Sequence, residues 1–438
     1  MPDIRVAIDK LAFGGSGVGR IDGKVCFVPF SCPGDELLVR IVAEKRSYLT
    51  AAIVEVTVPS PDRTSPPCPL FGRCGGCDWQ NVAYGRQLEA KRQILAETLW
   101  RGARVESELV APTVASPEQY GYRSRVQFKL FGYAEQLQIG FYRAGSHFVE
   151  DIPEGCPIAV PKVNQALHKL REVLASFPEP TLIPQINIDC ADEGAVAIVN
   201  YIGSNRDAVL KFFQAHCREL DPLTAIFLQS GRKSTMEKIY GDETLAYSMP
   251  GSSNGLDSLL KFRPGGFSQV NLPQNRAILK IIREMARFDG KEAVLDLYCG
   301  NGNFSLPIAR NVKSVTGIED YGDSITAAIA NAALNGIGNA EFHCVDAVAG
   351  TRLMQEQGRR FDLVLLDPPR AGGAEVVPEI IRLNPPKIIY VSCDPNTLAR
   401  DCGRLAAGGY KVLATVPVDM FPHTYHLESV TLLEKQNS

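Results

Sequence analysis

Short runs of alternating apolar and polar residues fill the first 58 positions of the chain. The runs IRVAI, VCFVPF, ELLVRIVAE and TAAIVEVTV are separated by glycine turns at FGGSGVG and IDGK and by a break at CPGD. Alternation with a period of two is typical of half-buried strands, and four or five such strands fit a small β-barrel. Five prolines in residues 59–69 then indicate a stiff, extended linker. We therefore predict a first domain over residues 1–58.

The hydrophobic pattern changes to helical spacing after residue 80. Apolar residues recur at helical intervals through residues 81–101, and basic residues outnumber acids in this stretch. The pattern predicts a basic amphipathic helix over about 81–104, which we expect to pack on the catalytic domain. Strand-like runs and one or two helices, the first near 160–175, follow it. Residues 59–262 are thus predicted to form a mixed α+β domain.

From residue 263 onward, buried apolar strands alternate with helices. Seven strand-like runs follow one another: AVLDLYCG, SVTGIE, AEFHCVD, FDLVLLDPP, KIIYVSC, YKVLATVPV and SVTLLEK. Such alternation is typical of a Rossmann-like α/β sheet with mostly parallel strands, and we expect the late strands to be antiparallel. Residues 263–438 are predicted to form this domain, with ligands at the carboxyl ends of its strands.

Length and composition agree with roughly three globular domains. The 438 residues are 45% hydrophobic and 22% charged, with a net charge of −3, so any nucleic-acid surface must be local. No apolar run approaches the roughly 18 residues that a bilayer span needs. We therefore expect a cytoplasmic protein without a membrane partner, and no protein partner is evident. The chain has 12 cysteines, and some of them are clustered in the sequence. In the cytoplasm, clustered cysteines are better explained as metal ligands or catalytic residues than as partners in disulfide bonds.

The segment DLYCGNGNFS, residues 296–305, has the features of a nucleotide-binding turn. Gly300 and Gly302 allow a tight turn and a close approach of the backbone to a ligand. Position 305 is serine where the dinucleotide fingerprint has its third glycine, and Asp296 would repel a pyrophosphate. These departures favour S-adenosylmethionine over a nicotinamide cofactor.

Two acids follow at the ends of the next strands. Glu319 ends SVTGIE, where an acid can accept hydrogen bonds from both ribose hydroxyls of a bound nucleoside. Asp346 ends AEFHCVD and is expected near the adenine. For each acid, the alternative is a helix cap or a loop carboxylate.

A thiol and a carboxylate lie at neighbouring strand ends. The fourth strand ends in LLDPPRAG, which contains Asp367, and the fifth ends in YVSCDP, which contains Cys393. A cysteine nucleophile is needed where the acceptor carbon is weakly nucleophilic, as at uracil C5: thiolate addition at C6 creates an enolate that attacks a sulfonium methyl group. Glu428, in FPHTYHLESV, is available to remove the C5 proton. The alternative for Cys393 is a small buried hydrophobe.

These motifs, in this order, resemble the RNA uracil-5-methyltransferases. The resemblance is carried by DLYCGNGNFS, DPPRAG, VSCDPNTLARD, PHTYHLESV and CPLFGRCGGC, with a preceding barrel similar to a TRAM domain. It implies that Cys393 is the nucleophile and Glu428 the proton acceptor, with Asp367 beside them in the catalytic site. It also implies that the methyl-donor site is lined by Gln269, Tyr298, Asn303, Glu319 and Asp367. Some members have phenylalanine at the position of Tyr298.

Cys68, Cys74 and Cys77 form a C-x5-C-x2-C cluster, with glycines that let the chain wrap around a metal centre. The resemblance adds Cys156 as a distant fourth ligand and implies a 4Fe-4S cluster. A structural zinc site on the same four thiolates is the alternative. Because the spacing differs from the C-x3-C-x2-C of radical enzymes, we expect a folding or RNA-positioning role instead of redox chemistry.

Three regions are candidates for RNA contact: the barrel, the basic helix, and the stretch around YGYRSR with the strands after it. In the third region, basic residues interleave with aromatic ones, which suits phosphate contact and base stacking. These residues are Arg123, Arg125, Lys129, Arg143, Tyr120, Tyr122, Phe128, Phe141 and Tyr142. Solvated strand faces are the alternative. Phe267 is either a base-stacking ring or a core aromatic, and we expect His423 and His426 to be structural.

The sequence as a whole predicts a three-domain, S-adenosylmethionine-dependent enzyme that methylates C5 of a uridine in RNA. Members of the family that have both the barrel and the cysteine cluster resemble the 23S ribosomal RNA enzymes, so we expect that RNA, with transfer RNA as the alternative. A catalytically inactive, metal-containing RNA-binding protein and a nicotinamide oxidoreductase are the alternatives from other classes.

Overall fold

A closed five-stranded barrel begins the computed structural model, which describes residues 3–132, 137–231, 235–251 and 256–436. Its strands, in spatial order β1-β2-β3-β5-β4, are Ile4–Leu11 (β1), Gly17–Ile21 (β2), Lys24–Val28 (β3), Glu36–Glu44 (β4) and Tyr48–Val58 (β5). Val6, Ile8, Leu37 and Val39 fill the interior, as the alternating pattern predicts. The predicted N-terminal barrel is confirmed.

The long helix α1 (Tyr84–Ala103) packs on the C-terminal part of the chain, against α9 (Pro395–Ala407). Ile94 and Leu95 share a core with Leu398 and Leu405. The two helices approach closely at Gly102, where a Cβ atom would lie 2.8 Å from the Cβ of Ala399. A short 3-10 helix at Ser107–Leu109 follows.

A seven-stranded, mostly antiparallel sheet forms the central part of the chain. Its strands are Arg125–Phe131 (β6), Gln138–Tyr142 (β7), Val149–Asp151 (β8), Gln185–Cys190 (β9), Ala195–Asn200 (β10), Ala225–Gln229 (β11) and Glu237–Gly241 (β12). The spatial order is β12-β11-β10-β9-β6-β7-β8. One face packs on the helices α2 (Pro161–Leu174) and α3 (Arg206–His216). The other face carries mainly polar side chains.

A two-stranded hairpin, β13 (Leu245–Met249) and β14 (Ser258–Phe262), follows the central sheet. Its apolar side chains, among them Tyr247 and Leu260, belong to the same core as residues of the C-terminal sheet. The hairpin lies before the boundary at residue 262 that the sequence predicts, and that boundary remains a prediction.

The C-terminal part is the predicted doubly wound α/β sheet. Its strands are Ala293–Leu297 (β15), Ser314–Glu319 (β16), Ala340–Cys344 (β17), Leu363–Leu366 (β18), Lys387–Ser392 (β19), Tyr410–Val418 (β20) and Glu428–Lys435 (β21). The order is β17-β16-β15-β18-β19-β21-β20. The pairings of β21 with β19 and with β20 are antiparallel, and the other four are parallel. The remaining helices are Leu272–Ala286 (α4), Ser305–Ala309 (α5), Gly322–Leu334 (α6), Ala347–Glu356 (α7) and Val377–Leu383 (α8).

Two apolar cores cover the two faces of this sheet. On one face lie α4, α5, α6 and the β13–β14 hairpin, and on the other lie α1, α7, α8 and α9. Because both faces are buried, the carboxyl ends of the parallel strands are the open side of the sheet. Within the described residues, no helix combines the length and the apolar character that crossing a membrane requires.

Candidate functional site

The turn after β15 has a backbone shape that depends on its glycines. Tyr298 adopts a φ of 64°, Gly300 of 55° and Gly302 of 87°. A Cβ at Gly302 would lie 2.7 Å from the Leu306 side chain. The turn therefore brings the backbone close to the open strand ends before α5 begins, as the sequence predicts for a nucleotide-binding turn.

Glu319, the last residue of β16, is held in place by two backbone amides. The Gly300 N–H donates to its Oε2 at 3.2 Å and the Tyr321 N–H to its Oε1 at 3.0 Å. Burial raises the pKa of Glu319. An oriented, partly buried carboxylate beside the glycine turn fits the ribose hydroxyls of a nucleoside.

Asn303 belongs to a buried amide network. It exchanges two hydrogen bonds with Asn275 of α4, at 2.8 and 2.9 Å, and accepts a third from the Tyr247 hydroxyl at 3.0 Å. These contacts fix the end of the glycine turn against α4 and the hairpin. Gln269 lies partly buried in the loop before α4. The next carbonyl in that loop, of Val270, accepts hydrogen bonds from Ser124 at 2.8 and 2.9 Å.

Asp346 is an exposed N-cap of α7. Its Oδ1 accepts hydrogen bonds from the Val348 and Ala349 amides, both at 3.0 Å. This is the helix-cap position that the sequence left open for this acid, and its predicted role at the adenine stays a prediction.

Cys393 and Glu428 meet across two neighbouring strands. The antiparallel register of β19 and β21 pairs Ser392 with Ser429, and one further step places Cys393 opposite Glu428. Asp394, directly after the thiol, caps α9 by accepting from the Asn396 and Thr397 amides at 2.9 and 3.2 Å. The cap stops β19 at a fixed point and so fixes where the thiol lies.

The thiol lies among buried carboxyl groups. Burial, together with the nearby Glu428, Asp367 and Asp394, raises the pKa of Cys393 to about 12. Burial also raises the pKa of Asp367 to about 7 and the pKa of Glu428 well above its usual range. A positive charge bound at this edge would favour the ionised form of each group, since its attraction offsets the cost of desolvation.

The four predicted metal-binding cysteines lie together. Cys68, Cys74, Cys77 and Cys156 line one cavity of about 110 Å³, with Arg123 beside them. Burial raises the pKa of Cys74 to about 11 and that of Cys77 to about 12. In the described ranges, no three His, Cys, Asp or Glu side chains converge on a single metal ion. The four cysteines thus share one cavity, as the predicted ligand set requires.

The two histidines near Glu428 lie in structural positions. His423 is 4% exposed, stacks on Tyr120 at 4.2 Å, and contacts Gln87 through both Nδ1 and its backbone N–H. Its carbonyl accepts from the Asp78 and Trp79 amides. Burial lowers the pKa of His423 and of His426 to about 4, so both are neutral at physiological pH.

Several aromatic and basic residues suggested for RNA contact are buried. Tyr122 and Phe128 are 3% and 0% exposed, because they belong to the inward face and edge of the central sheet, so stacking on RNA bases is wrong for both. Lys91 of α1 is fully buried in an ion pair with Asp419 and does not contribute to a basic surface. Phe267 is 67% exposed, which excludes the core-aromatic interpretation.

Sequence reasoning missed two buried charged sites. Asp296 accepts a hydrogen bond from the Ser305 hydroxyl, and burial raises its pKa to about 7. The Lys91–Asp419 pair joins α1 to the segment before Glu428. The signal for the second was a lysine within the apolar helical pattern of α1, at a position where neighbours three and four residues along are apolar.

The comparisons with known proteins agree with this geometry. A family model described as tRNA (Uracil-5-)-methyltransferase matches residues 226–436, and a TRAM domain model matches residues 3–54. A solved structure of Pyrococcus abyssi tRNA (uracil-54, C5)-methyltransferase in complex with S-adenosyl-L-homocysteine is similar, with a TM-score of 0.74 and 25% identity. It covers 98% of this chain and 100% of that one. The fold and the site are thus those of an S-adenosylmethionine-dependent methyltransferase.

Curated relatives define the family. A 23S rRNA (uracil(1939)-C(5))-methyltransferase from Hahella chejuensis is 35% identical and covers 99% of this chain and 97% of its own length. The protein of the same description from Xanthomonas campestris is 34% identical, over 99% of this chain and 97% of its own. The chain belongs to the RNA uracil-5-methyltransferase family.

Proposed function

We propose that this protein transfers a methyl group from S-adenosylmethionine to C5 of a uridine in 23S ribosomal RNA, giving 5-methyluridine. The observation that carries the proposal is the register that sets the Cys393 thiol opposite the Glu428 carboxyl at the open end of the sheet. Similarity to ribosomal RNA enzymes over 99% of the chain supports the substrate. The reaction would take place in the cytoplasm, where unpaired thiols such as the 12 in this chain persist.

The first step is addition of Cys393 to the uracil ring. The proton of the thiol passes to solvent, the sulfur bonds to C6, and the electron pair of the C5–C6 double bond moves onto C5 and the C4 carbonyl oxygen as an enolate. With a pKa raised to about 12, the thiol is protonated in the free site at physiological pH.

Methyl transfer and elimination follow. S-adenosylmethionine would supply an electrophilic methyl group: C5 would gain the methyl carbon as the sulfonium S–CH3 bond breaks, and S-adenosylhomocysteine would leave as the neutral thioether. The ionised Glu428 then removes the C5 proton. The electron pair of the C5–H bond re-forms the C5–C6 double bond, and the C6–S bond breaks to release Cys393 as thiolate. One proton passes to solvent for each turnover.

The residues around the glycine turn would hold the methyl donor. Glu319 would bind the ribose, Tyr298 and Gln269 would contact the donor, and Asp367 lies near the thiol. Asn303 contributes by fixing the turn through Asn275. We assign Asp346 to the same site with less support, since its carboxylate caps α7.

We further propose a 4Fe-4S cluster on Cys68, Cys74, Cys77 and Cys156. The shared cavity supports it. The cluster would hold the loop after Cys77 in shape, and that loop donates two backbone hydrogen bonds to the His423 carbonyl, five residues before Glu428. Iron and acid-labile sulfide in anaerobically purified protein support the cluster; stoichiometric zinc without iron contradicts it.

Three units would divide the work: the barrel and the central unit bind RNA, and the C-terminal unit performs the methyl transfer. The boundaries at residues 58 and 262 are part of this proposal. The barrel's similarity to a TRAM domain supports an RNA-binding role for the first unit.

The decisive experiment is covalent trapping. With methyl donor present, RNA that contains 5-fluorouridine should form a stable adduct with the wild-type protein, because fluorine at C5 cannot be removed as a proton. Peptide mapping should find the adduct on Cys393. Absence of any adduct on this residue, with intact RNA binding, would reject the mechanism.

Transfer RNA is the second candidate substrate, because the similar Pyrococcus abyssi structure is that of a tRNA enzyme. Mapping of 5-methyluridine in both RNAs from a deletion strain separates the two. Loss from 23S ribosomal RNA alone supports our proposal, and loss from transfer RNA alone replaces it.

A further inference from the structure

The face of the central sheet opposite α2 and α3 carries an array of amide side chains beside the buried Val196, Ile198 and Phe227. Two rows run across the strands: Lys129, Gln185, Asn200 and Gln229 are register partners on β6, β9, β10 and β11, and Gln127 pairs with Asn187 beside them. We call the five amides Gln127, Gln185, Asn187, Asn200 and Gln229 the amide face. Asparagine is depleted in strands, so two asparagines at neighbouring positions on one sheet face are unfavourable for the strand itself.

The amide face forms the floor of a cavity. All five amides line a space of about 620 Å³, whose opposite wall is the loop 263–266 with Tyr321 and Asp323 of the C-terminal part. This volume is within the usual range of ligand sites. The Asn200 Nδ2 atom is buried there with no hydrogen-bond acceptor among the described residues, an unusual state for a buried donor.

The cavity carries little net charge. Arg125 pairs with Asp189 at 2.7 Å, and Arg263 lies 3.9 Å from Asp323. Both arginines therefore have a carboxylate partner. Lys129, at the end of the row, donates to the Gln185 side-chain oxygen instead, and the Gln185 Nε2 atom donates to the Asn187 Oδ1 atom at 2.6 Å. Amides, in contrast, offer both donors and acceptors, which matches the edges of unpaired nucleobases.

The position of the cavity links it to the proposed reaction. Phe267, 67% exposed, follows directly on the loop that forms the cavity wall, and Gln269 of the methyl-donor site lies two residues further. Tyr321, 45% exposed, lines the cavity two residues after Glu319. Exposed rings at the rim of the cavity are suited to stacking on the bases of nucleotides that lie between the cavity and the thiol.

We propose that the amide face reads the base edges of unpaired nucleotides that flank the target uridine, and so contributes to the choice of RNA site. This inference rests on the proposed function, since the occupant is the RNA substrate itself. The amides would bind bases through hydrogen bonds, while Phe267 and Tyr321 stack on the bases between the amide face and the target.

The test compares Gln127→Ala/Asn187→Ala with wild-type protein on unmodified 23S ribosomal RNA transcribed in vitro. We expect the dissociation constant to rise about tenfold and kcat to stay within about twofold, since lost base-edge contacts weaken binding without touching the thiol. The slope of log affinity against log salt should not change, because amides displace no counterions. Base changes beside the target should be discriminated less by the variant than by wild type.

Gln214→Ala is the matched control, because Gln214 is an exposed amide on α3, which covers the opposite face of the same sheet. It should bind like wild type, and all variants should unfold at the same temperature. Unchanged affinity and unchanged base preference in the double variant would overturn the inference, as expected if the face binds a protein. A reduced salt slope with intact base preference would also overturn it. If wild type methylates no RNA, the proposed function fails; if it does and the double variant behaves identically, only the amide face fails.

Discussion

Lys91 and Asp419 form an ion pair that is closed to solvent. The Nζ–Oδ1 distance is 2.5 Å, both side chains are 0% exposed, and the Phe421 carbonyl accepts a second hydrogen bond from Nζ at 3.0 Å. Burial lowers the pKa of Lys91, and Asp419 opposes this effect. The pair joins α1 to the segment that leads into Glu428, so it connects the position of that helix to the geometry of the catalytic pair.

Removing one partner of this pair should be costly. Lys91→Met leaves Asp419 as an uncompensated buried charge, and we expect the free energy of unfolding to fall by about 3–5 kcal/mol. Urea unfolding followed by circular dichroism measures the change. Adding Asp419→Leu to that variant should restore a large part of the loss. For comparison, Lys24→Ala breaks a partly exposed pair with Glu44 and should cost less than about 1 kcal/mol. A Lys91→Met protein as stable as wild type contradicts the assignment.

Glu428→Gln should stop the reaction after methyl transfer. The amide cannot accept the C5 proton, so the protein–RNA adduct should accumulate while product release falls by at least about 100-fold. Denaturing gels with labelled RNA measure the adduct. Glu434→Gln, six residues along the same strand, is the control and should turn over normally. Normal turnover by Glu428→Gln would show that another group takes the proton.

Stability should depend on pH through Asp296. Burial raises the pKa of Asp296 to about 7 from an ordinary value of 3.8, so the folded state holds a proton that the unfolded state loses between these values. The resulting stabilisation is complete below about pH 4 and is lost as pH rises through 7. A shift of this size corresponds to at most about 4 kcal/mol.

Asp296→Asn should therefore remove part of the decline in unfolding free energy between pH 5 and pH 8. Unfolding curves at several pH values measure the slope. Asp207→Asn, an exposed acid on α3, should leave the slope as in wild type. Equal slopes in Asp296→Asn and wild type would mean that Asp296 is ionised in the folded protein.

Gly302→Ala should weaken binding of the methyl donor. Its φ of 87° strains any L side chain, and the new Cβ would lie 2.7 Å from Leu306. The turn must move, and we expect the dissociation constant of S-adenosylhomocysteine to rise at least about fivefold. Calorimetry measures it. Gly336→Ala is the control, because Gly336 has a φ of 62°, open space around a Cβ, and lies outside the glycine turn. It introduces backbone strain elsewhere and should leave ligand affinity unchanged.

Hydrophobic periodicity was sufficient to predict the barrel and the doubly wound sheet. In β1 the buried Val6 and Ile8 alternate with exposed residues, which is typical of a strand with one buried face. In β18 four consecutive residues are buried, which is typical of a strand in a sheet covered on both faces. Strand ends in such a sheet share one edge, which is why the thiol and carboxylates could be placed together before their geometry was known.

The features that the sequence did not predict depend on contacts between residues that are distant in the chain. A lysine such as Lys91 is normally exposed, and only its partner 328 residues later explains its burial. Asn303 was expected at the methyl donor, but its amide is paired with Asn275, a contact that spacing does not encode. The amide face likewise arises from the pairing of β6, β9, β10 and β11, which no local pattern specifies.

The Lys91–Asp419 pair also bears on how the chain is made. At roughly 5–20 residues per second, a ribosome delivers Asp419 between about 16 s and a minute after Lys91. For most of that interval α1 exists without α9, and for all of it Lys91 lacks the anion that neutralises it. The apolar face of α1 therefore stays uncovered in the nascent chain until the last strands leave the exit tunnel. We expect chaperones to bind α1 during this part of synthesis.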